Sequence, residues 1–161
     1  MKLILFGYTS FVGHALIDFY KSNCDVELVL VGRTGDLHSN FVHFEVDYDA
    51  NGFYDEISDV IRRIGPDENS VFFNLISHGS PDYCEHNPKE SQLINVQFTC
   101  DLYRSLLAFK FGKLVHFSSN AVYSGNNAPY TEDSLCHPIN TYGRHKLEAD
   151  TFLLDQNDHR I

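Results

Sequence analysis

The sequence predicts an α/β protein in which one parallel sheet carries helices on both faces. Three observations predict it. Short apolar runs alternate with stretches of helical periodicity from one end of the chain to the other. The runs at 2–7 (KLILFG), 25–32 (DVELVLVG) and 70–77 (SVFFNLIS) are largely apolar, as strands buried on both faces are. The residues best suited to chemistry follow successive strands. They therefore gather at one carboxyl edge, where open α/β sheets bind their ligands.

The first strand, 2–7, runs into Gly7-Tyr8-Thr9-Ser10-Phe11-Val12-Gly13. A helix follows over about 11–21, with Val12, Ala15, Leu16 and Phe19 on one face. Strand, glycine turn and helix form the setting of a dinucleotide fingerprint. The turn brings a pyrophosphate to a helix N-terminus, where open N–H groups and the helix dipole favour an anion. Gly7, Thr9, Ser10, Phe11, Val12 and Gly13 are the candidate contacts. Ser10 stands where the fingerprint has its middle glycine. Its side chain narrows the approach, and its hydroxyl offers a donor to phosphate. The same segment also reads as a tight turn that needs no ligand. After the second strand, 25–32, comes Arg33, at the position that meets the adenosine ribose. An acid there reads a 2′-hydroxyl and an arginine accommodates a 2′-phosphate. Arg33 thus points to NADP rather than NAD, or else is a solvated loop arginine.

A third strand, 41–47 (FVHFEVD), leads to Asp47-Tyr48, and a helix over 53–64 stops at Gly65-Pro66. The fourth strand, 70–77, ends in Leu75-Ile76-Ser77 and passes into an irregular segment, HGSPDYCEHNP. A long helix is expected over about 88–110, with Pro88 near its first turn. Asn95 lies inside it, either as a surface residue or as a brace for a neighbouring loop. Gly112 breaks that helix, and the fifth strand, 113–119, closes in Ser118-Ser119. The last helix, about 141–154, opens with Tyr142 and places Lys146 four residues later on the same face.

An ammonium beside a phenol favours the phenolate, which suits a tyrosine to general acid–base work near neutral pH. A hydroxyl at the neighbouring strand end, Ser119, would hold a substrate oxygen against it. Alone, a Tyr-x-x-x-Lys pair is a weak motif, because such pairs are ordinary on helix surfaces. Its position after the Ser-Ser strand end and the N-terminal glycine turn carries the reading.

Composition narrows the classes. With 161 residues, 43% of them hydrophobic, the chain suits one domain with a real core and not a disordered segment. A net charge of −10 without any basic run disfavours nucleic acid and anionic membranes as partners. No apolar run is long enough to span a bilayer, and the apolar start of MKLILFGYTS ends too early for a signal peptide. Cys24, Cys84, Cys100 and Cys136 lack paired spacing. Reduced thiols in a cytoplasmic protein are therefore expected, with neither a metal site nor a disulfide set.

Four segments carry a family likeness: LILFGYTSFVG; NLISHGSPDYCEHNP with INVQFTCDL; VHFSSNAVYSG; and PYTEDSLCHPINTYGRHKLEAD. In this order and spacing they resemble the extended short-chain dehydrogenase/reductases, and within them the dTDP-4-dehydrorhamnose reductase branch. The likeness covers nearly the whole chain. It implies a three-layer α/β/α Rossmann fold with five parallel strands in the order 3-2-1-4-5. It also implies a single NAD(P)-binding domain over 1–161, without the C-terminal substrate portion.

By this resemblance Tyr142 is the general acid/base and Lys146 its partner, and both contact the cofactor, Lys146 at the nicotinamide ribose. Ser119 is the hydroxyl that holds the substrate oxygen. Phe11 and Val12 meet the pyrophosphate, and Asp47 and Tyr48 the adenine. Leu75, Ile76 and Ser77 line the path toward the nicotinamide, and Asn95 matches the family's helix asparagine. The implied activity is NADP-dependent reduction of a nucleotide-sugar carbonyl, with nucleotide-sugar epimerisation and dehydration as neighbouring reactions. The implied partners are a nucleotide sugar and a second copy of the chain, docked through the helices at 88–110 and 141–155.

Three departures stand out: Ser10 for glycine, Leu75-Ile76 for small alanines, and Asn120-Ala121 for an Asp-Tyr pair. Enzymes of this kind are longer, so the chain is expected to be either a fragment or a shortened protein. The shortness and the bulk at Leu75-Ile76 keep a second expectation open, a non-catalytic NAD(P)-binding regulatory or partner subunit. A Rossmann-like methyltransferase fits less well, because the Tyr-x-x-x-Lys helix and the Ser-Ser strand end have no role there.

Overall fold

The computed structural model describes residues 1–33, 41–46, 53–126 and 128–161. Five strands form one sheet: β1 (Lys2–Phe6), β2 (Glu27–Gly32), β3 (Val42–Glu45), β4 (Val71–Asn74) and β5 (Lys113–His116). Their order is β3-β2-β1-β4-β5 and every pairing is parallel, the Rossmann arrangement that the alternation and the likeness predict. The helices are α1 (Phe11–Tyr20), α2 (Phe53–Ile64), α3 (Pro81–His86), α4 (Pro88–Gln92), α5 (Phe98–Leu106) and α6 (Thr141–Leu154).

The apolar run of β1 puts it at the centre, where Ile4, Leu5 and Phe6 expose no surface. Successive side chains point to opposite faces. Ile4 and Phe6 join the larger core with Phe53 and Ile57 of α2 and Phe98 and Leu102 of α5. Leu3 and Leu5 join the smaller one with Ile17 of α1. The Phe98 ring lies 5.9 Å from that of Phe6 and 5.7 Å from that of Phe53. Burying a side chain of this kind contributes about 1.5–3 kcal/mol. Phe6 sits level with Val31 of β2 and Asn74 of β4, so the three central strands end together at one edge.

The expected helix over 88–110 is interrupted. After α4 comes a π-helical turn, Leu93–Gln97, before α5 resumes and ends at Leu106. The wider turn carries Asn95 inward to 1% exposure. It is therefore not a surface residue. The helix stops short of Lys110 where Phe109 and Phe111 turn into the core. The segment read as irregular contains α3. The Ser80 hydroxyl accepts from the Tyr83 N–H at 3.3 Å and Pro81 stands in the first turn. Six residues are too few for helical periodicity to show in the sequence.

Strands β4 and β5 end earlier than their apolar runs suggest. Leu75–Ser77 and Ser118-Ser119 consequently lie in the loops beyond them. Asn74 is buried, and its Oδ1 accepts from the Ile76 N–H at 3.2 Å, a local bond that takes the place of the next rung of the ladder. The part of the third strand at Asp47, and Tyr48 after it, lie outside the described residues. The four cysteines are free thiols. Among the described residues no helix is long and apolar enough to cross a membrane.

Candidate functional site

The turn after β1 is built for close approach. Gly7 has φ +81°, in the left-handed region, and its N–H donates to the Val31 carbonyl at 2.9 Å. A Cβ at Gly7 would sit 2.9 Å from Ile76 Cγ1, so a side chain is excluded on space as well as on conformation. Ser10 caps α1, its hydroxyl oxygen accepting from the Gly13 N–H at 3.1 Å. The hydroxyl proton stays available for a ligand. The first N–H groups of a helix have no acceptor within it. With that of Gly13 taken, those of Phe11 and Val12 remain for an anion.

A cavity of about 490 Å³ opens above this turn. Gly7, Thr9 and Ser10 form one wall, Gly32 and Arg33 a second, and Leu75, Ile76 and Ser77 a third. It lies at the ends of β1, β2 and β4, within the size range of small-molecule sites. Ile76 is 8% exposed and packs into the core, and it also lines the cavity beside Gly7. Leu75 is half-buried and stands at the wall. The glycine turn, the N-terminus of α1 and Arg33 fit an NAD(P) group: N–H donors and hydroxyls for a pyrophosphate, and a guanidinium beside the position of the ribose.

Asn95 holds the third wall in place. Its Oδ1 accepts from the Ser77 hydroxyl at 3.0 Å and the His78 N–H at 2.9 Å, and its Nδ2 donates to the Ser91 hydroxyl at 3.1 Å. Ser91 in turn meets His145 Nδ1 at 2.7 Å on α6. A buried polar line thus joins the cavity wall to the helix that carries Tyr142 and Lys146.

Helix α6 is capped twice. Asn140 Oδ1 accepts from the Gly143 N–H at 2.7 Å. Glu85 of α3 accepts from both the N–H and the hydroxyl of Thr141, each at 2.7 Å. These two bonds hold the Glu85 carboxyl below its usual range. Ser119 lies opposite, as the cap of a 3₁₀ turn, Asn120–Val122, its Oγ accepting from the Ala121 N–H at 3.2 Å. Backbone of that turn touches Gly143, so Ser119 and Tyr142 lie on elements in direct contact. Ser119 lines a second cavity, of about 470 Å³, with Asn120, Tyr123 and Tyr130. Tyr142 is half-buried, and among the described residues its hydroxyl has no hydrogen-bond partner. Neither Tyr142 nor Lys146 is on the wall of the cavity above the glycine turn.

Lys146 is 2% exposed and lies 3.2 Å from Nε2 of His116. Burial lowers its ammonium to about 8, with Asp150 opposing the shift. His116, Asp150, Asn74 and Glu85 all escaped sequence reasoning. One signal was present: Asp150 follows Lys146 by four residues, on the same helical face.

Burial also holds the His116 and His145 imidazoles below their ordinary value. On acidification the unfolded chain then takes up protons that the folded chain refuses. Stability is full above about pH 6.5 and is lost as pH falls below it, levelling off below the folded values. Thermal unfolding is expected to show a falling midpoint from about pH 7 to about pH 5. His145→Gln is expected to flatten that fall. An equal fall in the variant would remove His145 from the account.

Comparison with known proteins places these features in a family. The pattern described as RmlD substrate binding domain matches residues 1–161. Methionine adenosyltransferase 2 subunit beta of Xenopus laevis is 33% identical over 88 residues, 55% of this chain and 26% of that protein. The dTDP-4-dehydrorhamnose reductase of Salmonella typhimurium is 28% identical over 158 residues, 96% of this chain and 47% of that one. The chain thus spans about half the length of that reductase. In fold it is similar to the UDP-glucuronic acid 4-epimerase of Bacillus cereus, solved with UDP-glucuronic acid and NAD. The TM-score is 0.80 at 20% identity, covering 99% of this chain and 54% of that one. Matched along its whole length and folded as a five-stranded Rossmann sheet, the chain belongs to the RmlD substrate binding domain family, within the extended short-chain dehydrogenase/reductases.

Proposed function

We propose that this chain is the NADP-binding half of a nucleotide-sugar oxidoreductase, one that reduces a sugar carbonyl as dTDP-4-dehydrorhamnose reductase does. The observation that carries the reading is the cavity above the glycine turn, with Arg33 on its wall. The N–H groups of Phe11 and Val12 and the hydroxyls of Thr9 and Ser10 meet the pyrophosphate. Arg33 pairs with a ribose 2′-phosphate, to which its planar guanidinium is suited. Asp47 and Tyr48 are assigned to the adenine on the family likeness alone. Leu75, Ile76 and Ser77 bound the nicotinamide end. The bound nicotinamide supplies or accepts the hydride. Ser119, its oxygen already engaged by the Ala121 N–H, donates a hydrogen bond to the substrate oxygen and keeps its proton. Tyr142 gives that oxygen its proton on reduction and takes it back in the reverse direction. Lys146 keeps a positive charge one helical turn from the phenol.

Two observations favour a second reading, a non-catalytic NAD(P)-binding partner subunit. The 33% identical relative is by name a subunit of a transferase. Leu75 also stands where the reductase pattern has a small residue. Both readings require the dinucleotide. Titration of the chain with NADPH and with NADH, followed by nicotinamide fluorescence, is expected to show NADPH bound roughly tenfold tighter, the worth of one charge-assisted bond. Arg33→Ala is expected to erase the preference. No binding of either nucleotide would sink both readings. Reduction of a dTDP-4-dehydro sugar by a chain extended to the length of its relatives separates the first from the second.

A further inference from the structure

At the end of β5, three side chains, Asn74 of β4 and Lys146 and Asp150 of α6, meet around the imidazole of His116. His116 Nδ1 faces Asn74 Nδ2 at 3.2 Å. The Asn74 amide is oriented by its neighbours, since Oδ1 accepts from the Ile76 N–H and Nδ2 donates to Thr99 Oγ1 at 3.0 Å. An amide nitrogen only donates, so His116 Nδ1 accepts and its proton sits on Nε2. That same Nε2 lies 3.3 Å from Asp150 Oδ1 and 3.2 Å from Lys146 Nζ. The lysine ammonium therefore faces an N–H, not a lone pair. Two donors at this distance in a buried site need an anion beside them. Asp150 supplies it and is itself anchored by the Ser118 hydroxyl.

We propose that Asp150 is a positioning residue for Lys146: acting across the His116 ring, its carboxylate keeps the buried ammonium charged and held on the face of α6 that also carries Tyr142. The assignment rests on the reading of Tyr142 and Lys146 given above. Of the other charged and titratable groups on α6 and the elements packed against it, Asp101 and Arg104 of α5 pair with each other, Tyr103 donates to Asp158, and the Cys100 thiol is pushed up to about 11 by burial and stays neutral. Glu85 and Arg144 pair at the exposed start of α6. His145 meets Ser91, and Glu148 meets Gln92, both on α4. Asn74 of β4, Thr99 of α5 and Ser118 are neutral. The titration of Lys146 agrees: burial pushes it down and Asp150 is the charge that pushes back.

The test follows the ¹³Cε signal of Lys146 through an alkaline titration, without cofactor. Asp150→Asn is expected to lower the Lys146 midpoint by about one pH unit or more, the size of a near charge removed. Asp150→Glu, which keeps the charge, is expected to retain most of the midpoint. A purely structural Asp150 would change thermal stability and leave the Lys146 midpoint alone, and that result overturns the proposal. If Asp150→Asn does not fold, the unchanged chain decides. There the Asp150 carboxyl carbon must shift in step with Lys146, and a flat signal overturns the proposal equally. Failure to bind NADPH would strike the functional reading but not this one, because the lysine titration is read in the free chain.

Discussion

Gly143→Ala is expected to cost the fold about 2 kcal/mol, although alanine is the better helix former by about 0.8–1 kcal/mol. A Cβ at Gly143 would stand 2.1 Å from the Ala121 carbonyl oxygen, 2.9 Å from its carbon and 3.0 Å from Pro138 Cβ. Non-bonded carbon and oxygen do not approach so closely, and the first contact is with backbone, which cannot rotate aside. Helix α6 has little room to withdraw. Its start is tied by Asn140 and by both oxygens of Glu85, and its middle by Lys146 and Asp150 against His116. Overpacking of a core costs about 1–3 kcal/mol, and a backbone collision belongs at or beyond the upper end. The displaced element is the one that carries Ser119, so the distance from Ser119 to Tyr142 changes along with stability. Urea unfolding of Gly143→Ala beside Gly79→Ala checks this. A Cβ at Gly79 meets nothing within 4 Å. Equal stability of the two variants would remove the close approach of α6 to the Ser119 turn as a determinant of the site.

The parts of this arrangement that could be read from the sequence are those governed by local periodicity. The limits of α2, 53–64, and of α6, 141–154, agree between pattern and structure, with Gly65-Pro66 stopping the first and Asn140 capping the second. The run KLILF reads as a central strand because nothing polar interrupts it after Lys2. Asn95 was harder. Its neighbours Leu93, Ile94 and Val96 suggest an ordinary amphipathic helix, and only the π turn places it inside. That turn has no signature in the order of residues. His116 and Asp150 were invisible for another reason. Each looks like a common polar residue on its own element, and they become a pair only when one face of α6 is laid on the end of β5. Ser119 lay in reach because two hydroxyls after an apolar strand are conspicuous. Its capping of the turn beyond β5 was not, since the strand ends three residues earlier than the apolar run.

Tyr142→Phe is the change expected to separate chemistry from folding most cleanly. It removes one oxygen, and among the described residues that oxygen has no hydrogen-bond partner to strand. The ring remains, so the packing of α6 against the Ser119 turn is kept. Stability is therefore expected to change by no more than about 0.5 kcal/mol, as for substitutions that break no buried contact. Binding of NADPH is expected to persist, because the cavity wall is formed by the glycine turn, Arg33 and Leu75–Ser77. Turnover is a different matter. A positioned proton donor contributes about 10²–10⁴ in rate, and Ser119, in the role proposed for it, holds the substrate oxygen and does not take over that transfer. In the extended chain, kcat for carbonyl reduction is accordingly expected to fall by about that factor with KM little changed. Such a split marks an interaction made in the transition state and not in the ground state. A variant that turns over at the unchanged rate would take Tyr142 out of the mechanism. A variant that loses NADPH binding as well would show the phenol to be part of the dinucleotide site.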